Sequence, residues 1–213
     1  MTKPLFFRRP FKYEYFHATL CIILLNFIAY FICEMFPMVK VYCALNVINV
    51  IYNKAFWQFF SYMFIHQGIS HIIMNMLALF IFGVGVEKAI GSKEFLLFYF
   101  VCGVLSAVLS FAFHYFTGNY LTYLLGASGA VYAVLFAYAV CYPRSIIYIW
   151  GVIPVPAPVL VLIYAVLELV SELFTSSNIA HYTHLFGFLI ALLYFIVRMG
   201  VNPFKIWKNN YKE

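Results

Sequence analysis

Six long runs of apolar side chains dominate this sequence and constrain its fold more than any other feature. A helix needs about 20 consecutive apolar residues to cross a bilayer. The runs cover residues 16–36, 70–87, 95–116, 121–141, 158–175 and 180–199. Only 9% of the residues are charged, whereas soluble domains carry about 25%. We therefore predict an all-α, polytopic membrane protein in which six transmembrane helices form one bundle.

The lysine and arginine residues predict how this bundle is oriented. With six spans, both chain termini lie on the same side, and that side holds eleven of the 13 basic residues. The other side holds only Lys40 and Lys54. Because cytoplasmic loops carry an excess of lysine and arginine, we predict that both termini are cytoplasmic. The basic residues form no stripe with interleaved aromatic side chains, so we expect the lipid bilayer, and no nucleic acid, as a partner.

A single domain accounts for nearly the whole chain. We predict a cytoplasmic segment over residues 1–15, a six-helix domain over 16–200 and a cytoplasmic tail over 201–213. Within the domain, residues 37–69 are aromatic and of mixed polarity, which is typical of a loop at the membrane–water interface. Alternating prolines in residues 153–158 predict extended chain just before the fifth span.

The five cysteines lack the CxxC spacing of a metal-binding or redox motif. Most of them lie in apolar runs, where cysteine behaves as a small buried hydrophobe. Cys33 and Cys43 flank the first outer loop, and their spacing leaves open whether they form a disulfide.

Several polar side chains interrupt the apolar runs, although such groups are costly in hydrocarbon. His71 and Asn75 are four residues apart in the second run and therefore share a helix face. Ser128 lies about seven residues into the fourth run, and His184 lies about four residues into the sixth. These runs all pass from outside to inside in the predicted topology, which puts the four side chains within roughly the outer 10 Å of the membrane. Their common depth indicates one site.

Each of these side chains also has a simpler explanation. Gly126-Ala-Ser-Gly129 is typical of small residues at contacts between membrane helices. His71 and Asn75 could form hydrogen bonds between helices, and His184 could be a satisfied polar group near Gly187. Agreement in depth among three separate helices favours a site over independent packing.

Three motifs, in order and on the expected runs, resemble those of the rhomboid family of intramembrane serine proteases. They are His71-Ile-Ile-Met-Asn75, Gly126-Ala-Ser-Gly129 and Thr183-His-Leu-Phe-Gly-Phe-Leu-Ile-Ala191. The upstream histidine His66 and the charged turn at residues 86–92 are also similar. The pattern covers nearly the whole chain from Trp57 to Ala191, so it implies a rhomboid-like bundle of six transmembrane helices.

The sequence departs from the family pattern at three positions. Gln58 follows Trp57 where the family often has arginine, which leaves the usual polar contacts of this loop open. Ala191 replaces the second glycine of the third motif, so we expect the fourth and sixth helices to pack slightly less tightly. Thr183 replaces the first alanine of the same motif.

The resemblance implies peptide-bond hydrolysis by a Ser–His dyad. Ser128 would be the nucleophile and His184 the base that removes its proton, since a hydroxyl is a poor nucleophile without one. No carboxylate belongs to the family motif, and none is clearly placed by this sequence to orient the imidazole. His181 remains an alternative base, but His184 is preferred because Gly187 follows it as the motif requires.

The resemblance also implies which groups support the reaction. The backbone N–H of Ser128, the amide of Asn75 and the side chain of His71 would stabilise the oxyanion. Tyr132, one turn after Ser128, would stack on the imidazole. Close approach of neighbouring backbones is the expected role of Gly126, Gly129 and Gly187.

Further polar residues have no role in these motifs. Glu168 and Glu172 are four residues apart on the fifth run, which the family pattern implies is the lateral entrance for substrate. They either face the cavity or an interhelical partner, or they take part in gating. We also expect a water-filled entrance from the outer side, lined by His66, Gln67 and His181.

The implied function is that of an intramembrane serine endopeptidase, which cleaves transmembrane protein substrates without a cofactor or a metal. The minimal six-span form favours a bacterial inner membrane, with the site open to the outer side. Three alternatives are an inactive rhomboid-like scaffold that binds transmembrane clients, a metal-dependent membrane protein and a transporter. The sequence lacks the His-Glu-x-x-His motif and the duplicated halves that would favour the last two.

Overall fold

The computed structural model describes residue 8 and residues 11–174 and 181–210. Its helices are α1 (Ala18–Met35), α2 (Pro37–Cys43), α3 (Val47–Tyr52), α4 (Gln58–Ser61), α5 (Ile69–Ala78), α6 (Val84–Ile90), α7 (Ser92–Thr117), α8 (Ser128–Cys141), α9 (Ala157–Phe174), α10 (His181–Val197) and α11 (Pro203–Asn210). A 3-10 turn covers Tyr62–Phe64, and a π-helical turn at Leu79–Gly83 joins α5 to α6. Two antiparallel ribbons pair β1 (Leu45–Asn46) with β2 (Tyr123–Leu124) and β3 (Ile146–Ile149) with β4 (Ile153–Pro156).

Helices occupy all six apolar runs, so the predicted helical fold class is confirmed. Three of them, α1, the continuous α5–α6 segment and α7, are long and apolar enough to cross a membrane by length and composition. The apolar helices α8 and α10 are shorter, with 14 and 17 residues, and α9 has 18. The number of helices that cross the bilayer therefore stays a prediction. Residues 175 and 180, where the fifth run was predicted to end and the sixth to begin, lie outside the described residues, as do residues 1–7, 9, 10 and 211–213 of the predicted terminal segments.

The fourth run is not helical throughout, and its predicted start at residue 121 is wrong. Residues 121–127 form β2 and a loop, and helix α8 begins only at Ser128. Gly126 has φ +118°, which lies outside helical geometry, and Leu124 pairs with Leu45 of β1. At 1.5 Å per residue, the 14 residues of α8 span about 21 Å, less than the roughly 30 Å of a hydrocarbon core. The short helix can thus hold Ser128 below the membrane surface.

The segment between α1 and α5 is largely helical and is tied down by Gln58. Gln58 is buried; its Nε2 donates to the carbonyl of Tyr42 at 2.9 Å, and its Oε1 accepts from the N–H of Asn46 at 3.1 Å. Asn46 in turn belongs to β1, which pairs with the strand that precedes Ser128. Gln58 therefore provides polar contacts for this loop at the position where the family often has arginine.

Helices α8 and α10 pack closely through glycines at the centre of the bundle. A Cβ on Gly187 would lie only 2.2 Å from the carbonyl oxygen of Gly129. A Cβ on Gly129 would in turn lie 3.1 Å from the methyl group of Thr183. Thr183 also shares a 2.8 Å hydrogen bond with Ser110 of α7. Ala191 is fully buried, and this helix pair still makes the most extensive contact among the described elements.

Two buried carboxylates at the opposite end of the bundle have structural roles. Glu87 accepts hydrogen bonds from the N–H groups of Ala18 and Thr19 at 2.6 and 2.9 Å, and it thereby caps the first turn of α1. Glu94 on α7 pairs with Arg198 beyond α10 at 2.8 Å. These contacts fix α1 to α6 and α7 to the chain after α10.

The extended chain predicted for residues 153–158 is present over Ile153–Pro156 as β4, which forms a hairpin with β3, whereas residues 157 and 158 already belong to α9. Helix α9 begins at Ala157, directly after Pro156. All five cysteines are free thiols, including Cys33 and Cys43.

Candidate active site

Ser128 is the first residue of helix α8, and Gly126 shapes the turn that leads to it. The first N–H groups of a helix have no intrahelical acceptor and carry partial positive charge. Gly126 adopts φ +118°, and a Cβ at this position would lie 2.9 Å from the imidazole of His71. Both the backbone conformation and the adjacent ring therefore require glycine here.

The side chains of Ser128 and His184 meet across the contact between α8 and α10. The Oγ of Ser128 lies 2.8 Å from the Nε2 of His184, which is within reach for proton transfer. His184 is 8% exposed, so bulk water competes little for this contact. The close approach of Gly187 to Gly129 holds the two helices at the spacing that this distance needs.

Tyr132 holds the imidazole ring from the side. It lies four residues after Ser128 and therefore on the same face of α8. Its ring stacks on that of His184, with centroids 4.2 Å apart and planes at 6°. The hydroxyl of Tyr132 donates a short hydrogen bond to Oε1 of Glu168 on α9.

Glu168 has the interhelical partners that were one of its predicted alternatives, but its contact with His184 was not predicted. Its Oε1 lies 3.0 Å from the Nδ1 of His184, and its Oε2 lies 2.5 Å from the Nδ1 of His181. The sequence placed no carboxylate clearly beside the imidazole, whereas the structure brings Glu168 to it. The Nδ1 atom of His184 forms no hydrogen bond in the structure, so its 3.0 Å contact with Oε1 is within ion-pair distance but lacks hydrogen-bond geometry. The sequence signal was an acid within an apolar helix, where a polar partner is required.

His71 and Asn75 lie on the facing helix α5 and line the same cavity as Ser128. The Nδ2 of Asn75 donates to the carbonyl of His71 at 2.9 Å, which leaves its second N–H available. The cavity has a volume of about 680 Å³, and the predicted residues that line it are Ser128, His184, His71, Asn75, Tyr132 and Gly126. Gly129 and Gly187 lie behind it, at the helix contact.

His66 and His181 do not line this cavity, and the expectation that they flank a water-filled entrance is wrong. His66 is fully buried, and His181 is 8% exposed. The Nε2 of His66 faces the N–H of Ala127 at 3.5 Å. Burial, together with the neighbouring His71, lowers the pKa of His66 from 6.5 to about 4, so it is a neutral acceptor behind the serine loop. Gln67 does line the cavity.

Among the described residues, one group of side chains has the composition of a metal site. The possible ligand atoms of Glu168, His181 and His184 all lie within 4.8 Å of one another. The carboxylate is already at contact distance from both imidazoles and from the Tyr132 hydroxyl. These contacts account for the cluster without a metal ion.

Comparisons with known proteins all identify rhomboid proteins as similar to this chain. Residues 53–200 match the model of the Rhomboid domain. The rhomboid protease AarA of Providencia stuartii is 28% identical over 162 residues, which cover 67% of this chain and 55% of that protein. The rhomboid protease GlpG of Klebsiella pneumoniae is 40% identical over 80 residues, 37% of this chain and 26% of that protein. The putative rhomboid protease YdcA of Bacillus subtilis is 28% identical over 142 residues, 63% of each chain. The chain thus aligns with less than two thirds of the length of each relative.

Proposed function

The chain belongs to the rhomboid family, and from this premise we propose that it is an intramembrane serine endopeptidase. Ser128 is the nucleophile and His184 is the general base. The observation that carries the proposal is the 2.8 Å distance between Ser128 Oγ and His184 Nε2, since two side chains 56 residues apart meet at proton-transfer distance.

The reaction begins when Nε2 of His184 takes the proton of the Ser128 hydroxyl as Oγ attacks the scissile carbonyl carbon. For Nε2 to accept, the imidazole must carry its hydrogen on Nδ1. The protonated imidazole then returns this proton to the leaving amine. A water molecule, activated by the same nitrogen, hydrolyses the acyl-enzyme.

The negative charge of the tetrahedral intermediate needs hydrogen-bond donors. The backbone N–H of Ser128 at the start of α8, the second N–H of Asn75 and the imidazole of His71 are the candidates, since all three lie around one cavity. Loss of one such donor costs about 2.7–4 kcal/mol of transition-state stabilisation.

All six apolar helices cross the bilayer in this proposal, with both termini in the cytoplasm of a bacterial cell and the site open to the outer side. Large apolar side chains are exposed along α1 and α9, including Leu24, Phe31, Leu162 and Val166, which supports lipid contact on these faces. Exposed aromatic side chains in the first loop, such as Phe56 and Trp57, support a position at the interface. Substrates are transmembrane protein segments that reach the cavity from the bilayer.

A direct test is cleavage of a fluorescent single-span model substrate by purified protein in proteoliposomes. We expect Ser128→Ala to reduce cleavage to background, because the variant lacks the hydroxyl that His184 activates. Ser145→Ala, whose hydroxyl donates to the nearby Tyr142 carbonyl, should retain wild-type cleavage. Undiminished cleavage by Ser128→Ala, with thermal unfolding like that of the wild type, would refute the proposal.

A further inference from the structure

We propose that Glu168 is a positioning residue that acts on the reaction through His184, so that the site has three members in place of a Ser–His dyad. The inference rests on the proposed function, because it concerns how the general base is held. It departs from the family motif, which contains no carboxylate in this role.

The first step is the orientation of Glu168 on helix α9. The side chains of Glu168 and His184 are each only 10% exposed. The neighbouring residues Leu167, Leu169 and Val170 are exposed on the apolar surface of the helix. Glu168 therefore points into the bundle, away from the surface that its neighbours cover. A buried carboxylate is costly unless polar partners surround it, so its surroundings are informative.

The second step is that both carboxylate oxygens are held from two other helices. Tyr132 of α8 donates its hydroxyl to Oε1, and His181 of α10 contacts Oε2 through Nδ1 at 2.5 Å. Tyr132 also stacks on the ring of His184. One tyrosine thus fixes both the imidazole and the carboxylate, and little freedom remains for the separation between them.

The third step concerns which nitrogen of His184 carries the hydrogen. Nε2 lies 2.8 Å from the Ser128 hydroxyl and must accept its proton. Oε1 of Glu168 lies 3.0 Å from Nδ1, on the other side of the ring. A carboxylate at this position favours the tautomer with hydrogen on Nδ1, and it stabilises the imidazolium that forms while remaining ionised itself.

The imperfect alignment at Nδ1 is consistent with this role. In the resting structure Nδ1 forms no hydrogen bond with Oε1, and catalytic hydrogen bonds are often poorly aligned before substrate binds. The attraction between carboxylate and imidazole grows when His184 becomes positive, so the contact is expected to tighten as the proton moves from Ser128.

The test compares Glu168→Gln with Glu172→Gln in the full-length protein in lipid nanodiscs. Glu172 is the matched control, since it is an acid one turn later on the same helix and only partly buried. We expect Glu168→Gln to lower kcat by about 10²- to 10⁴-fold with little change in KM, as for loss of the carboxylate in Ser–His–Asp proteases. Glu172→Gln should stay within about twofold of the wild type. A Glu168→Gln variant that folds and keeps wild-type kcat overturns the inference.

A second variant covers the case in which Glu168→Gln does not fold. Tyr132→Phe keeps the stacked ring but removes the hydroxyl that holds Oε1. We expect kcat to fall by about tenfold, on the scale of one lost hydrogen bond. An unchanged kcat in this variant argues against a held carboxylate and overturns the inference as well.

A readout without proteolysis separates this inference from the proposed function. Nitrogen NMR of labelled histidine reports the tautomer of His184 in the resting protein. We expect hydrogen on Nδ1 in the wild type and a mixture of tautomers in Glu168→Gln. The same tautomer population in both proteins overturns the positioning role even if Ser128→Ala abolishes cleavage. Loss of wild-type activity in a chelator, restored by Zn²⁺, would instead assign the cluster to a metal ion and overturn the inference.

Discussion

At the scale of single residues, Gly126 shows how strongly the site constrains its backbone. Its φ of +118° is unfavourable for any residue with a side chain, and its hydrogen faces the His71 imidazole. A side chain introduced at this position, two residues before the proposed nucleophile, would therefore meet both backbone strain and a steric clash.

We expect Gly126→Ala to destabilise the protein by more than the about 1–3 kcal/mol that backbone strain alone costs. The added methyl group must also displace His71, so cleavage should fall together with stability. Unfolding in mixed detergent micelles measures the first effect. Gly118→Ala is the control, because Gly118 has φ +76° and a methyl group added there would meet nothing within 4 Å. Equal losses of stability in the two variants would show that the His71 contact has no effect.

Some site residues could be predicted because their motif and their position along the chain indicate their role. Ser128 and His184 belong to recognisable motifs, and the charge bias assigns both to the outer side of the membrane. The helix rise assumed for residues 121–127 does not hold, because these residues are not helical. Glu168 was not predictable in the same way. Its rotation about the axis of α9 depends on packing against α8 and α10, and neither its spacing nor its neighbours in sequence specify which of these helices it meets.

At the scale of elements, the contact between α8 and α10 holds the two reacting side chains in register. Gly187 on α10 meets the backbone of Gly129 on α8, next to Ser128. Any side chain on Gly187 must push the helices apart and so lengthen the distance between Ser128 Oγ and His184 Nε2.

We expect Gly187→Ala to cost about 1–3 kcal/mol, the range for overpacking a tight contact, and to reduce cleavage more than substrate binding. Steady-state kinetics in nanodiscs separates kcat from KM. Leu189, an exposed position on the same helix, provides the control Leu189→Ala, which should change kcat little. A Gly187→Ala protein with wild-type kcat would mean that the helix contact does not set the geometry of the site.

The start of α8 marks a limit of sequence reasoning at this scale. Residues 121–127 are apolar enough to continue a transmembrane helix, and hydropathy predicts that they do. Two features keep the helix from starting before Ser128. One is local, the backbone conformation of Gly126, and the other is remote, the pairing of Leu124 with Leu45. The remote contact spans 79 residues of chain, so no local pattern could reveal it.

At the scale of the whole molecule, orientation in the membrane decides from which side water reaches the site. Eleven of the 13 basic residues lie on the predicted cytoplasmic side. In that proposed topology α8 runs from the outer side inward, so Ser128 at its start lies toward the outer side. We therefore expect a cavity that opens outward.

We expect a membrane-impermeant maleimide to label a single cysteine at Lys54 in intact cells, in a background without the five native cysteines. A cysteine at Lys205 should react only after the membrane is permeabilised, because the chain after α10 is predicted to be cytoplasmic. Labelling at Lys205 but not at Lys54 in intact cells would show the opposite topology and contradict the proposed route for water.

The most direct measurement of the central proposal is labelling by a serine-directed fluorophosphonate. Because the probe reacts only with an activated hydroxyl, it tests whether His184 makes Ser128 nucleophilic, without any choice of substrate. We expect the folded wild-type protein to be labelled at Ser128, and Ser128→Ala and His184→Ala to remain unlabelled. Labelling of Ser128→Ala to the same extent as the wild type would contradict the assignment of Ser128 as the nucleophile.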